Sequence, residues 1–153
     1  MRLRVVTKNI TQTLALSKII AREADAFRRT NRNHALVIGL TGGLGSGKTA
    51  FVQGFAKALG IREKVRSPSF LIIKRYIIPK QRGALFHIDC FRLKGHRELT
   101  ALGFDEILQD PTHIVMIEWA ERVRTFLPRQ TLWVTFRNAP HRNWRCIMFH
   151  TAA

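Results

Sequence analysis

The chain has 153 residues and a mass of 17.6 kDa, a length that fits one domain and can bury a core. With 46% hydrophobic and 24% charged residues it sits near the globular average, which excludes wholesale disorder, collagen-like sequence and a coiled coil. Charge is the anomaly: 26 Lys and Arg against 10 Asp and Glu give +16 and a pI near 11.5, a balance that favours polyanionic partners such as nucleic acid or an anionic membrane surface.

In chain order, residues 3–6 read as a short strand. Leu14, Leu16, Ile19, Ile20, Ala24 and Phe27 then recur at helical spacing behind Thr13, which is expected to be the N-cap. The polar run RRTNRNH ends that helix. Residues 35–40 (ALVIGL) are apolar on both faces, as in a buried parallel strand. A glycine-rich turn leads into a second helix with Phe51, Phe55, Ala58 and Leu59 on one face and Gly60 at its stop. Strands are expected at 70–78 and 84–89, joined as an antiparallel hairpin by PKQRG. Mixed helix and loop follow over 97–109, then an apolar strand at 114–118 after Pro111 and a short helix at 120–126. Residues 131–137 and 145–150 alternate as a C-terminal hairpin at a sheet edge. The pattern predicts one α/β domain over 1–153: a phosphate-loop, three-layer fold with a mostly parallel central sheet, an inserted antiparallel hairpin and a C-terminal edge hairpin.

Cys90 and Cys146 are the two cysteines and have no metal or redox spacing, so neither a disulfide framework nor a structural zinc is expected. The start, MRLRVVTKNI, lacks the apolar region of a signal peptide, and no uncharged run reaches the ~18 residues of a membrane span; a soluble, cytoplasmic protein is expected. Charge is unevenly placed. Residues 98–121 hold six acids and no Lys or Arg, while 57–97 hold eleven Lys and Arg against Glu63 and Asp89, so Lys74, Arg75, Lys80 and Arg82 of the hairpin are candidate RNA contacts.

Gly42, Gly43, Leu44, Gly45, Ser46, Gly47, Lys48 and Thr49 match the phosphate-binding loop pattern between a strand and a helix. Glycines let backbone N–H groups converge on an anion, Lys48 reaches the β and γ phosphates, and Thr49 offers a hydroxyl to Mg²⁺ at a helix N-terminus. A carboxylate must also hold the metal through its water shell, and Asp89 and Glu118, each ending an apolar strand, are the two candidates. Between the loop helix and Asp89, Ser67-Pro68-Ser69-Phe70 is a turn with two hydroxyls, placed like a switch that senses the γ phosphate.

Together these segments resemble the TsaE (YjeE) ATPases over about residues 13–128. The resemblance rests on TLALS, GGLGSGKT, SPSF, HIDCFRL, LGFDEIL and IEWAERV. It implies ATP and Mg²⁺ as cofactors, with Lys48 and Thr49 on phosphate and metal, Glu118 as the metal-side carboxylate, and Asp89 as a catalytic residue in a second switch. It places Ser67 and Ser69 on the first switch, and Thr13 and Trp119 beside the nucleotide. It further implies ATP hydrolysis in support of threonylcarbamoyladenosine formation on tRNA, with TsaB and TsaD homologues as partners and tRNA contacted directly or through their complex. The family usually has Asp where Gly43 stands, Thr where Ser69 stands and Thr where Ala50 stands. No internal arginine finger is evident; Arg92 or a partner's residue is a candidate. A small-molecule kinase and a nucleotide-ordered RNA-binding module are the alternative readings.

Overall fold

In the computed structural model, which describes residues 2–30 and 33–151, seven strands form one sheet flanked by helices. The chain runs β1 (Arg2–Thr7), α1 (Ile10–Thr30), β2 (Leu36–Thr41), α2 (Lys48–Ala58), β3 (Ile73–Ile77), β4 (Ala84–Asp89), α3 (His96–Ala101) and α4 (Phe104–Gln109). It continues through β5 (Ile114–Glu118), a 3-10 helix (Ala120–Phe126), β6 (Leu132–Asn138) and β7 (Arg145–Thr151). The sheet order is β1-β7-β6-β2-β5-β4-β3. β6, β2, β5 and β4 are mutually parallel, while β3 pairs antiparallel with β4, and β7 with both β6 and β1. β1, beyond β7, therefore takes the outermost position on the side of the C-terminal hairpin.

The continuous apolar runs of β2 and β5 follow from burial on both faces. Along β5, Ile114 and Met116 enter a core with Ala21 of α1 and Phe51 and Phe55 of α2, whereas Val115 and Ile117 enter a second core with Leu99, Phe104 and Val123. Alternation along the strand thus makes three layers.

Three local expectations are corrected. Asn9, not Thr13, caps α1: its Oδ1 accepts from the Gln12 N–H at 2.9 Å, and the Gln12 side chain accepts from the Lys8 N–H at 2.7 Å. Ile19 and Phe27 face solvent, and the buried face of α1 is Thr13, Ser17, Ala21, Ala24 and Arg28. The reason is a close crossing with α2, where a Cβ on Gly54 would stand 2.1 Å from Ser17 Oγ. Finally, the strand expected over 70–78 starts at Ile73, because the Leu71 and Ile72 N–H groups bond back to the Pro68 carbonyl in a turn. Among the described residues no helix is long and apolar enough to cross a membrane.

Candidate functional site

The parallel strands β2, β4 and β5 all end at one edge of the sheet, and their carboxyl ends deliver the site. After Thr41 the chain turns through a loop in which Gly42, Gly45 and Gly47 have φ of 138°, 69° and 105°, a region that side-chain-bearing residues rarely occupy. A Cβ on Gly42 would stand 2.5 Å from the Phe136 carbonyl oxygen, whereas one on Gly43 would meet nothing within 4 Å. A side chain in place of Gly43 would therefore have room. The loop opens directly into α2, whose first N–H groups have no partner within the helix and favour an anion.

Lys48 is buried and folds back over the loop. Its Nζ donates to the Gly42 and Gly43 carbonyls at 2.6 and 2.9 Å and lies 4.1 Å from the Trp119 ring centroid. Burial pushes the ammonium below its ordinary range, with Glu118, Glu121 and Asp89 opposing the shift. Thr49 Oγ1 donates toward Glu118, 3.0 Å from each carboxylate oxygen, and His87 Nε2 meets Glu118 Oε1 at 2.8 Å. Glu118 and Asp89 are register partners on β5 and β4, and both are buried.

Asp89 holds the hydroxyl-bearing turn. Its Oδ2 accepts from Ser67 Oγ at 2.5 Å and Ser69 Oγ at 2.7 Å, and its Oδ1 from the Phe91 N–H at 2.8 Å. Burial acts to raise the Asp89 carboxyl, but the Ser67, Ser69 and Phe91 hydrogen bonds together carry it below the ordinary carboxylate range. Trp119 has φ of 58° and packs its ring on Phe91 at 5.0 Å. The Arg92 guanidinium lies 4.5 Å from the Phe70 ring, which is 85% exposed.

These groups surround a cavity of about 800 Å³. Leu44 to Ala50, Thr13, Ser67, Ser69, Asp89, Glu118 and Trp119 line it, so the structure brings the residues singled out in the sequence to one place. Gly42 and Gly43 stand behind the lining and bond Lys48. The Thr13 hydroxyl is engaged by Thr7 Oγ1 at 2.8 Å and by the Asn9 carbonyl at 3.3 Å.

Two residues escaped the sequence reading. Arg145 of β7 donates to the Ser46 and Gly45 carbonyls at 3.1 and 3.3 Å and lines the cavity; it is about a hundred positions away in the chain, and no local motif marks it. His87 was visible, two residues before Asp89 and hence on the same face of β4, as was the Asn9–Gln12 pairing. Cys90 and Cys146 are free and buried, and burial pushes the Cys90 thiol up to about 12, so it is not a nucleophile at neutral pH.

A buried parallel strand, a glycine loop running into a helix N-terminus, a buried Lys48 followed by Thr49, and acids at neighbouring strand ends define the chain as a P-loop protein of the nucleotide-binding class. Within that class the chain belongs to the TsaE family: residues 7–146 match the family "Threonylcarbamoyl adenosine biosynthesis protein TsaE". It is 35% identical over 136 residues to the tRNA threonylcarbamoyladenosine biosynthesis protein TsaE of Bacillus subtilis strain 168, covering 87% of this chain and 76% of that one. To the protein of the same name from Treponema pallidum strain Nichols it is 38% identical over 101 residues, 66% of this chain and 72% of that one. The crystal structure of Bacillus subtilis YdiB is similar over 100% of this chain and 87% of its own, with a TM-score of 0.72 and 29% identity.

Proposed function

We propose that this chain is a Mg²⁺-dependent ATPase, working as a single P-loop domain in the cytoplasm and acting with TsaB and TsaD homologues in the formation of threonylcarbamoyladenosine on tRNA. The observation that carries the reading is the joining of three elements at one cavity: Thr49 of the loop helix bonded to Glu118 of β5, beside Asp89 of β4 bonded to the Ser67–Ser69 turn.

The donor set suits magnesium. Thr49 and Glu118 offer hard oxygens 3.0 Å apart, and no group of three or more His, Cys, Asp or Glu forms a protein cage among the described residues. A metal held by one hydroxyl, one carboxylate, waters and substrate phosphates is the usual arrangement for Mg²⁺ with nucleotides. When bound, Mg²⁺ supplies charge neutralisation at the β and γ phosphate oxygens. Lys48 exchanges the Gly42 and Gly43 carbonyls for phosphate oxygens, and the loop N–H groups hold the remaining charge. Water attacks the γ phosphorus and ADP leaves.

Asp89, held below the ordinary carboxylate range, is a weak proton acceptor, so its part is to position the Ser67–Ser69 turn and the groups around the attack. Arg92 is the chain's own candidate for stabilising transferred charge. Phe70 and Leu71, 85% and 68% exposed on the switch turn, leave the site open until a partner covers it, which supports slow turnover alone and stimulation by the TsaB–TsaD pair. tRNA is reached directly or through that complex.

The test is to mix the purified protein with TsaB and TsaD from the same cell and assay ATP turnover and modified tRNA together. Turnover that rises with the partners and yields modified tRNA is expected. Phosphate transfer to a small-molecule acceptor, or a full rate unaltered by the partners, overturns the reading.

A further inference from the structure

His87 has no part in the chemistry above, yet it is fully buried at the centre of the site's support. It shares a face of β4 with Asp89, and Asp89 stands opposite Glu118, so the imidazole reaches Glu118 diagonally across the parallel pair. Its Nε2 lies 2.8 Å from Glu118 Oε1, and its Nδ1 is buried with no hydrogen-bond partner. A carboxylate only accepts, so the proton of this bond sits on Nε2.

An apolar side chain would fill this place without leaving a ring nitrogen unmet. What histidine adds is the single bond to Glu118. That bond occupies Oε1, which also faces the Thr49 hydroxyl, while Oε2 has only Thr49 and keeps its remaining acceptor capacity. Two donors from two directions, one on β4 and one on α2, fix the rotation of the carboxylate plane.

We infer that His87 is a positioning residue: its Nε2–H locks the Glu118 carboxylate so that Oε2 is presented toward the Thr49 side of the cavity, where a magnesium-bound nucleotide is read. This rests on the reading of Glu118 as the magnesium-side carboxylate. His87 does not touch the nucleotide, so nucleotide binding without metal is independent of it, and only the strengthening by Mg²⁺ depends on it.

The experiment compares wild type, His87→Leu and His87→Gln. ADP affinity is measured by calorimetry first in chelator and then across a Mg²⁺ titration, with melting temperatures as a record of folding. His87→Leu is expected to bind metal-free ADP like wild type and to need about 10- to 100-fold more Mg²⁺ for half of the strengthening, the usual cost of losing a hydrogen bond that orients a metal ligand. His87→Gln, whose amide nitrogen falls close to the Nε2 position, is expected to restore the Mg²⁺ midpoint. An unchanged midpoint in folded His87→Leu overturns the inference, as does a Gln variant no better than Leu.

If His87→Leu does not fold, His87→Asn takes its place, because the shorter amide cannot reach Oε1. Equal midpoints for the Asn and Gln variants then overturn the inference, and a raised midpoint for Asn alone supports it. A wild type that binds no nucleotide overturns the functional reading and this inference with it, whereas a normal wild type beside an indifferent His87→Leu overturns this inference alone.

Discussion

Asp89 and Glu118 stand opposite each other in register on β4 and β5, yet they hold different parts of the molecule. Among the described residues the Asp89 carboxylate bonds the turn that follows α2 and the start of its own loop, through Ser67, Ser69 and the Phe91 N–H. Glu118 bonds the first turn of α2 and the interior, through Thr49 and His87. One carboxylate is therefore coupled to the Ser67–Ser69 turn and the other to the start of the helix that follows the phosphate loop.

That division predicts two distinct failures. Glu118→Ala is expected to remove most of the Mg²⁺ dependence of nucleotide binding, whereas Asp89→Ala is expected to spare Mg-ATP binding and slow turnover. Calorimetry with and without Mg²⁺, alongside a phosphate-release assay, separates them. Loss of Mg-nucleotide binding in Asp89→Ala with retention in Glu118→Ala would mean that the two roles are exchanged.

Lys48 lies folded over the Gly42 and Gly43 carbonyls, and under the proposed function it turns to the β and γ phosphates when nucleotide enters. Hydrogen bonds to charged groups contribute about 1.5–3 kcal/mol, so Lys48→Ala is expected to weaken Mg-ATP binding by about 10- to 150-fold. Unchanged affinity in a titration of the folded variant would remove the phosphate-loop assignment.

Arg145 ties β7 to the phosphate loop by donating to the Ser46 and Gly45 carbonyls. The guanidinium is also anchored to the Arg142 and Trp144 carbonyls at 2.8 Å. Arg145→Ala is expected to loosen the loop and cost about 1 kcal/mol, roughly fivefold, in nucleotide affinity, with little change in the Mg²⁺ midpoint. An Arg145→Ala protein with wild-type affinity would show that the loop keeps its shape without β7.

The strands and the loop were legible because their signals are local: a run apolar on both faces, then glycines, then Lys-Thr. The buried face of α1 was legible only in part: Leu16, Ile20 and Ala24 of the apolar stripe do pack on the core, but Thr13, Ser17, Ala21 and Arg28 complete that face, and hydrophobic periodicity sees small and polar residues as exterior. Arg28 is buried through partners from distant turns, among them Asp25, Gln81 and the Thr112 carbonyl, which no window of sequence contains. The same limit hid Arg145. The register that sets Asp89 beside Glu118 likewise depends on the order of strands in the sheet, though each acid was visible at its strand end.

Close packing at Gly54 yields a test of that reading of α1. An added Cβ would stand 2.1 Å from Ser17 Oγ and 3.0 Å from Leu14 Cδ2, while alanine is favoured over glycine inside a helix by about 1 kcal/mol. Overpacking costs about 1–3 kcal/mol and is expected to win, so Gly54→Ala should lower the melting temperature by a few degrees. Adding Ser17→Ala removes the closest contact and should recover most of the loss. A stabilised Gly54→Ala protein would mean that the two helices are not held this close.

Acid sensitivity should report the bonds to Asp89. Its carboxyl is held below the ordinary carboxylate range because the ionised form accepts from Ser67, Ser69 and the Phe91 N–H, which outweigh the opposing effect of burial. In the window between the folded and the unfolded value the unfolded chain binds more protons, so stability rises with pH there. The contribution is fully present above the ordinary value of about 4 and is lost as pH falls through the lower, folded value. Asp25 and Asp110 are also held low, the first by Arg28 and Arg29 against the effect of its burial and the second mainly by the Thr112 hydroxyl, so the whole protein should lose stability in acid through more than one group. Asp89→Asn isolates one of them. Its melting temperature is expected to lie below that of wild type at neutral pH, and the gap should narrow as pH falls from about 6 to about 3. A gap that stays constant over that range would mean that the ionised carboxylate of Asp89 does not hold the Ser67–Ser69 turn.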